Sequence, residues 1–331
     1  MPVNIIKPDV EQLRYDPDFP LQHIEMCGRT CYNSLDKMTE DSSTAFVEGL
    51  VKSKHFAMLE HATFVFMVSP KMFEMLQGRN LTVHTMEDED TGCGVRHLNF
   101  TKCLANGKMR FLVSGNVRAI NNARCKEMLH LIKDIASPLA YEYPLEHDIK
   151  FNNKVELVGN IFDLPDLQEE EVRAHSYLTM RCVCDRGVTH EFVRMREMSF
   201  AQESTRYCNY AGGKYNGVLN FIEPSGFPVW DKESQKKYIS HLEDCADAYN
   251  LLVGNYGRSP QEARAVLPNS LKAVLIATAN TNEWLHFFRL RYFGFTGAPH
   301  PDMKVVAGLS YDKFVHYMER MNYHIPAEWV S

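Results

Sequence analysis

Residues 269–291, NSLKAVLIATANTNEWLHFFRLR, carry an apolar series and a polar series side by side. Leu271, Val274, Leu275, Leu285 and Phe288 fall at spacings that share one face of a helix. Thr278, Asn280, Asn282, His286 and Arg291 run along the other side. The pattern predicts one long helix. Its polar side meets either solvent or, with Arg264 and Arg291 beside two amides and aromatic rings, the floor of a pocket. Just upstream, SPQEARAVLP (residues 259–268) opens with a capping serine, a first-turn proline and an early acid, as a helix start does.

Further out, strands and helices mix without a βαβα rhythm. SYLTMRCVC (residues 176–184) and HATFVFMV (residues 61–68) are rich in β-formers and read as strands. STAFVEGLVKSKH (residues 43–55) spaces Phe46, Val47, Leu50 and Val51 like a helix face, with Ser43 or Thr44 as its cap. The tripeptide DRG at residues 185–187 reads as a turn, and Thr189 as the cap of a short helix leading to Arg194. From residue 69 to about 175 the pattern is broken. That stretch holds acidic runs at 87–90 and 169–171, a turn NGK at 106–108 and a helix around 121–135. Such a mixture predicts an α+β fold.

The chain has 331 residues, 45% of them hydrophobic, a formal net charge of −6 and a pI near 6.2. That length can bury one large core or two smaller ones. The acidic balance, without a lysine-rich run, argues against nucleic-acid binding. No stretch is long and apolar enough to span a bilayer. The first residues lack the charged start and apolar run of a signal peptide, so a cytoplasmic protein is expected. Nine cysteines at irregular spacing, with no paired CxxC units, predict free thiols and no zinc site.

Against that acidic background, RMREMSFAQESTRYCNY (residues 194–210) gathers Arg194, Arg196 and Arg206 among Ser199, Gln202, Ser204 and Tyr207. Guanidinium forks match phosphate oxygens in pairs, and hydroxyls and loop amides complete a cradle. Gln202 offers a donor and an acceptor suited to the edge of a base. The alternative is a surface loop whose arginines pair with Glu197 and Glu203. In KHFAMLEHATF, the residues His55, Glu60 and His61 do not have the HExxH spacing, and a helix-to-strand change points them apart. No metal is expected there; a hydrogen-bonded structural pair or a cofactor contact is.

These groups together resemble the flavin-dependent thymidylate synthases, the ThyX family. The family signature, Arg-His-Arg, seven residues, then Ser, stands here as Arg194-Met195-Arg196, seven residues, then Ser204. HFAMLEH before a strand, EARAVLP, TANTNEWLHFFRLR and APHPDMKVVA follow the family's order over residues 22–68 and 176–307. The resemblance implies an α+β fold with a mixed sheet and long helices in an oligomer. It implies a catalytic core of residues 1–68 and 176–331, and an insertion at 69–175 to which no role carries over.

The activity it implies is methylation of dUMP to dTMP. Methylenetetrahydrofolate supplies the carbon and NADPH the reducing equivalents, with FAD as cofactor and no cysteine nucleophile. The expected assembly is a homotetramer with shared sites. Substrate contacts are expected from Glu191, Arg194, Gln202, Glu203, Ser204, Thr205, Arg206, Arg264 and Arg291, with Arg291 catalytic through its charge beside the uracil. Cofactor contacts are expected from His55, Ala57, Glu60, Arg194, Met195, Arg196, Gln202, Asn280, Asn282 and His286.

Three positions depart from the family pattern: Met195 replaces the signature histidine, His286 a common asparagine, and Ala57 a small hydroxyl residue. Two alternatives therefore stand beside the main reading. One is a related flavoprotein acting on another pyrimidine nucleotide, for instance by hydroxymethylation. The other is an inactive nucleotide-binding homologue.

Overall fold

The structure, a computed structural model, describes residues 3–76, 98–105, 107–143, 154–164 and 167–321, with 323 and 325. The acidic run at 87–90 lies outside them, as does Asn106 of the expected NGK turn. Gly107, the next residue of that turn, has φ +68°, a left-handed conformation that glycine adopts without strain.

The architecture is α+β. In chain order the strands are β1 (Asn4–Ile6), β2 (Asp9–Leu13), β3 (Thr63–Val68), β4 (Asn99–Ala105), β5 (Lys108–Asn116), β6 (Val155–Val158), β7 (Tyr177–Asp185), β8 (Ser199–Gln202), β9 (Asn220–Ile222) and β10 (Lys272–Asn280). The α-helices are α1 (Pro20–Cys31), α2 (Ser42–Lys52), α3 (Val117–Ala123), α4 (Lys126–Ile135), α5 (Glu169–His175), α6 (Arg186–Phe192), α7 (Lys232–Gly254), α8 (Pro260–Ala263), α9 (Thr281–Arg291) and α10 (Pro301–Arg320). One four-stranded antiparallel sheet runs β2-β7-β10-β8; a second runs β4-β5-β3-β6; β1 and β9 form a short parallel pair. Thus β3 is completed on both sides by strands from within residues 98–158.

Two cores follow from this layout. Ile24, Val47, Phe66, Val113 and Ile120 pack one sheet against α1 to α4. Met180, Leu275, Trp284, Phe288 and Phe314 pack the other against α9 and α10. The indole of Trp284 donates to the Leu178 carbonyl at 3.0 Å, so a large buried ring still satisfies its one donor.

The long helix expected over 269–291 is instead strand β10 followed by helix α9. Nearly every residue of β10 is buried, because β7 and β8 flank it and both faces are covered. A strand covered on both faces shows no polar alternation, so Leu271, Val274 and Leu275 imitated a helical stripe. Asn280 ends the strand and caps α9, its Oδ1 accepting from the Glu283 amide at 2.9 Å.

Three smaller expectations change. Residues 185–187 are a helix start: Asp185 caps α6 by accepting from the Val188 amide at 2.8 Å. Thr189 lies inside that helix, its hydroxyl donating to the Arg186 carbonyl. The helix expected around 121–135 is two, broken where Arg124 takes φ +49°. Helix α2 begins at Ser42 after Asp41, with no side-chain cap bond from Ser43 or Thr44. The Ser259 start holds as a capping box with Glu262, whose Oε2 accepts from both the Ser259 amide and hydroxyl.

Candidate functional site

Strand β8 delivers the loop at 203–206 and touches each group that the sequence singles out. At its start, Ser199 Oγ donates to Glu60 Oε2 at 3.2 Å. At its end, Gln202 Nε2 donates to Thr189 Oγ1 on α6 at 3.0 Å. Just beyond it, Thr205 Oγ1 accepts from Arg264 Nη1 at 3.3 Å. Residues distant in sequence therefore converge on one short strand and its loop.

Inside the loop, Glu203 is 3% exposed. Its carboxylate accepts from Lys272 Nζ at 2.6 Å, Tyr215 Oη at 3.0 Å and the Val274 amide at 3.2 Å. Tyr215 is in turn hydrogen-bonded by Asn33. Glu203 thus serves as the loop's anchor, with its carboxylate engaged inside the protein. Ser204 faces its own loop: its amide donates to the Cys31 carbonyl, and its Oγ accepts from the Arg206 amide. Arg206 is exposed, its guanidinium 5.6 Å from the Tyr207 ring centroid; Tyr207 lies 5.1 Å from Tyr32.

Helices α6 and α9 meet through a second ion pair. Arg291 Nη1 donates to Glu191 Oε2 at 2.8 Å, and Nη2 reaches the Glu191 carbonyl at 3.4 Å. Arg291 Nε is buried with no acceptor among the described residues. A buried N–H in that condition costs about 1–3 kcal/mol until an acceptor meets it. Arg194 and Arg196, after α6, are both exposed. Met195 between them is 4% exposed and belongs to the core that includes Phe192 and Met198. The backbone therefore presents its two arginines outward and turns the thioether inward, whereas a cofactor contact was expected at Met195.

On α9, His286 is exposed, Asn280 caps the helix through its Oδ1, and Asn282 Oδ1 accepts from Arg173 Nε at 3.1 Å. Glu283 sits in the first turn, and burial, with the Glu197 carboxylate nearby, raises its pKa to about 7.

His55 and Ala57 are exposed on the turn before β3. Glu60 and His61 take different partners, although Ser199, which donates to Glu60, is the cross-strand neighbour of Thr278, which meets His61. Glu60 is buried and pairs with Arg118 at 2.7 Å. His61 Nδ1 lies 2.8 Å from Thr278 Oγ1, which lies 2.8 Å from Thr179 Oγ1, itself 3.3 Å from His23 Nε2. Burial lowers the pKa of His61 to about 3 and of His23 to about 4, so both rings are neutral at pH 7.

Arg118, Arg173, Lys272 and Tyr215 were missed, because nothing local in the sequence marks a partner across such separations. The described cysteines form no disulfide; Cys208 is buried, and burial with Glu203 nearby raises its thiol pKa. A cavity of about 600 Å³, lined by Tyr15, Thr63, Phe162, His175, Tyr177 and Tyr317 among others, includes none of the expected site residues. No helix among the described residues is long and apolar enough to cross a membrane.

Comparison with known proteins places these features in a family. A profile of Thy1, "Thymidylate synthase complementing protein", matches residues 131–317. The flavin-dependent thymidylate synthase of Geobacter sulfurreducens is 37% identical over 106 residues, 32% of this chain and 43% of that protein. That of Pyrococcus furiosus is 31% identical over 123 residues, 37% of this chain and 49% of that protein. The chain spans about half the length of these curated relatives. The structure of a UMP/dUMP methylase, PolB from Streptomyces cacaoi, aligns with 95% of this chain and 93% of its own at 13% identity. Its TM-score of 0.39 is too low to carry a reading.

Proposed function

The chain belongs to the Thy1 family, and on that premise we propose that it methylates dUMP to dTMP, taking the carbon from methylenetetrahydrofolate and the reducing equivalents from NADPH, with FAD as cofactor. The observation that carries this reading is Arg291: its guanidinium is clamped by Glu191, while its buried Nε–H has no acceptor among the described residues. A pyrimidine carbonyl or ionised ring nitrogen is the acceptor such a donor suits. A fixed cation beside a developing anion lowers the barrier, and preorganisation by Glu191 means little reorientation at that moment.

The phosphate of dUMP falls to Arg206 and Arg264. Arg264 already donates to Thr205 on the same loop, and Arg206 stands exposed two residues from Ser204. Glu203 enters as the loop's buried anchor, and Gln202, Ser204 and Thr205 line the turn between.

The donor set also fits FAD. Exposed guanidinium groups at Arg194 and Arg196 suit a diphosphate, and His286, Asn282, Asn280 and Gln202 suit a polar ring edge. His55, Ala57 and Glu60 would close the far wall, and Met195 would support the arginine pair from beneath by packing. When bound, the flavin supplies the hydride chemistry, while the chain supplies charge, orientation and exclusion of water. That Arg194, Arg196, Arg206 and His286 all face outward supports sites shared between copies, as in a homotetramer; the proposed setting is the cytoplasm. No cysteine takes part.

The test is product formation by the purified protein reconstituted with FAD. We expect dTMP from dUMP, methylenetetrahydrofolate and NADPH. Product from another pyrimidine nucleotide in place of dUMP would establish the altered-substrate reading. Nucleotide binding without NADPH oxidation would establish the inactive homologue.

A further inference from the structure

Residues 173–176 hold the first turn of α9 at three points. The Thr281 amide donates to the Ser176 carbonyl at 2.9 Å, and Thr281 Oγ1 donates to the Arg173 carbonyl at 3.0 Å. Arg173 Nε donates to Asn282 Oδ1 at 3.1 Å. The first two bonds are backbone anchorage that many residue types at 173 would allow. The third is specific to the guanidinium.

Arg173 is 5% exposed, unusual for a side chain that cannot shed its charge. Glu169, one turn earlier on α5, approaches Nη1 at 3.6 Å but is itself half exposed, so it is a weak counter-charge. Buried in this way, Arg173 aims its Nε at α9. With Oδ1 engaged by Arg173, the Asn282 amide is oriented, which leaves its two N–H donors for another acceptor. Arg118 provides an independent parallel: it too comes from within residues 98–175, and it holds Glu60, another side chain of the expected cofactor wall.

We propose that Arg173 is a positioning residue for the flavin site, fixing the Asn282 amide so that its N–H donors meet an oxygen of bound FAD. This rests on the function proposed above and gives residues 98–175 a role there: they brace a cofactor wall contributed by other parts of the chain. The bond links α5 to α9 and lies off the loop at 203–206, so loosening it changes cofactor affinity without touching that loop.

The experiment is an equilibrium FAD titration, followed by flavin fluorescence, on the wild type, Arg173→Met, Asn282→Ala and the double variant, with dUMP binding measured on each. Arg173→Met is expected to weaken FAD binding about tenfold, the worth of one charge-assisted hydrogen bond. Asn282→Ala should do the same, and the double variant should be no worse than Asn282→Ala alone. Binding of dUMP should stay within about twofold, given additivity for sites without shared partners. If the methionine variant does not fold, Arg173→Lys keeps the charge inside the protein and is expected to weaken FAD binding by less. Unchanged FAD affinity in a folded variant overturns the proposal. So do losses that add in the double variant, or a parallel fall in FAD and dUMP binding, which marks a general structural role. A wild-type chain that takes up no FAD overturns the function reading itself, a result distinct from a wild type and a variant that bind FAD equally.

Discussion

Lys272 Nζ lies 2.6 Å from Glu203 Oε2, and the carboxylate it meets is buried. Lys272 begins β10, while Glu203 follows β8, so the pair locks the loop at 203–206 to the sheet. Lys272→Met leaves that carboxylate without its cation, and removing one partner of a buried pair costs about 3–5 kcal/mol. Chemical denaturation of the variant should show a loss at the lower end of that range, since Lys272 retains some exposure. Adding Glu203→Gln should restore a large part of it. A double variant as unstable as the single one would show that the pair is not the cause.

Arg206 and Arg264 separate from Arg291 by role. On the proposed function, alanine at either of the first two removes a charge-assisted bond to phosphate worth about 1.5–3 kcal/mol, roughly 10- to 150-fold in dUMP affinity. On the proposed function Arg291→Ala should lower kcat more than it raises KM, because the unmet Nε–H is the donor proposed for the reacting ring. Calorimetric dUMP titration and steady-state kinetics check both; unchanged dUMP affinity in Arg206→Ala would remove that arginine from the phosphate site.

Met195→His tests the inward turn of the signature. A histidine at this core position loses hydrogen bonds to water that its apolar neighbours cannot replace, a cost of about 1–3 kcal/mol. The expected outcome is a lower melting temperature with FAD affinity changed by no more than about tenfold. Gain of dTMP synthesis by the histidine variant from an inactive parent would instead mark the natural protein as a lapsed enzyme.

Buried histidines and one carboxyl give the pH profile two limbs. Burial holds His23, His61 and His175 at about 4, about 3 and about 4. The unfolded chain, with histidines near ~6.5, then binds more protons than the folded one below that pH. Their contribution is complete above pH ~6.5 and is lost as pH falls toward 4, with a slope of up to about 1.4 kcal/mol per pH unit for each. Glu283 runs the other way: its folded pKa of about 7 exceeds the ordinary 4.5, so its contribution is present below pH 4.5 and lost as pH rises through 7. Denaturation midpoints from pH 4 to 8 should show both limbs, and Glu283→Gln should flatten only the upper one.

Cys208 follows the signature, and its neighbouring arginines suggest a reactive thiolate by sequence alone. The fold reverses this: the thiol is buried and its pKa raised, with Glu203 adding to the effect of burial. Alkylation by iodoacetamide at pH 7.5 should be slow in the folded protein, and Cys208→Ser should keep most dTMP formation. Loss of activity with the fold and flavin intact would bring a cysteine into the mechanism.

The legible parts of this chain were those whose signals are local. Strand β7 was readable from its β-formers, and the Ser259 capping box from four consecutive residues. The arginine loop stood out against an acidic chain. What escaped depended on burial or on distance. β10 looked helical because full coverage erases the two-residue alternation that marks a half-buried strand. Arg173 and Asn282 stand far apart in the chain, and no spacing rule pairs them. Met195 could be placed beside its arginines but not turned, since inward or outward is settled by the core that closes over it.

The strand order β2-β7-β10-β8 also governs when the protein can become itself. Among the described residues β8 pairs as a strand with β10 alone, and β10 is translated well after both β7 and β8. On the ribosome, then, β7 waits with one edge open and β8 waits without a strand partner. Unpaired edges of that kind invite association with other chains, and pairing across such separations is slow. Nascent chains stalled before residue 280 should be captured by holdase chaperones, and release should coincide with the emergence of a single strand.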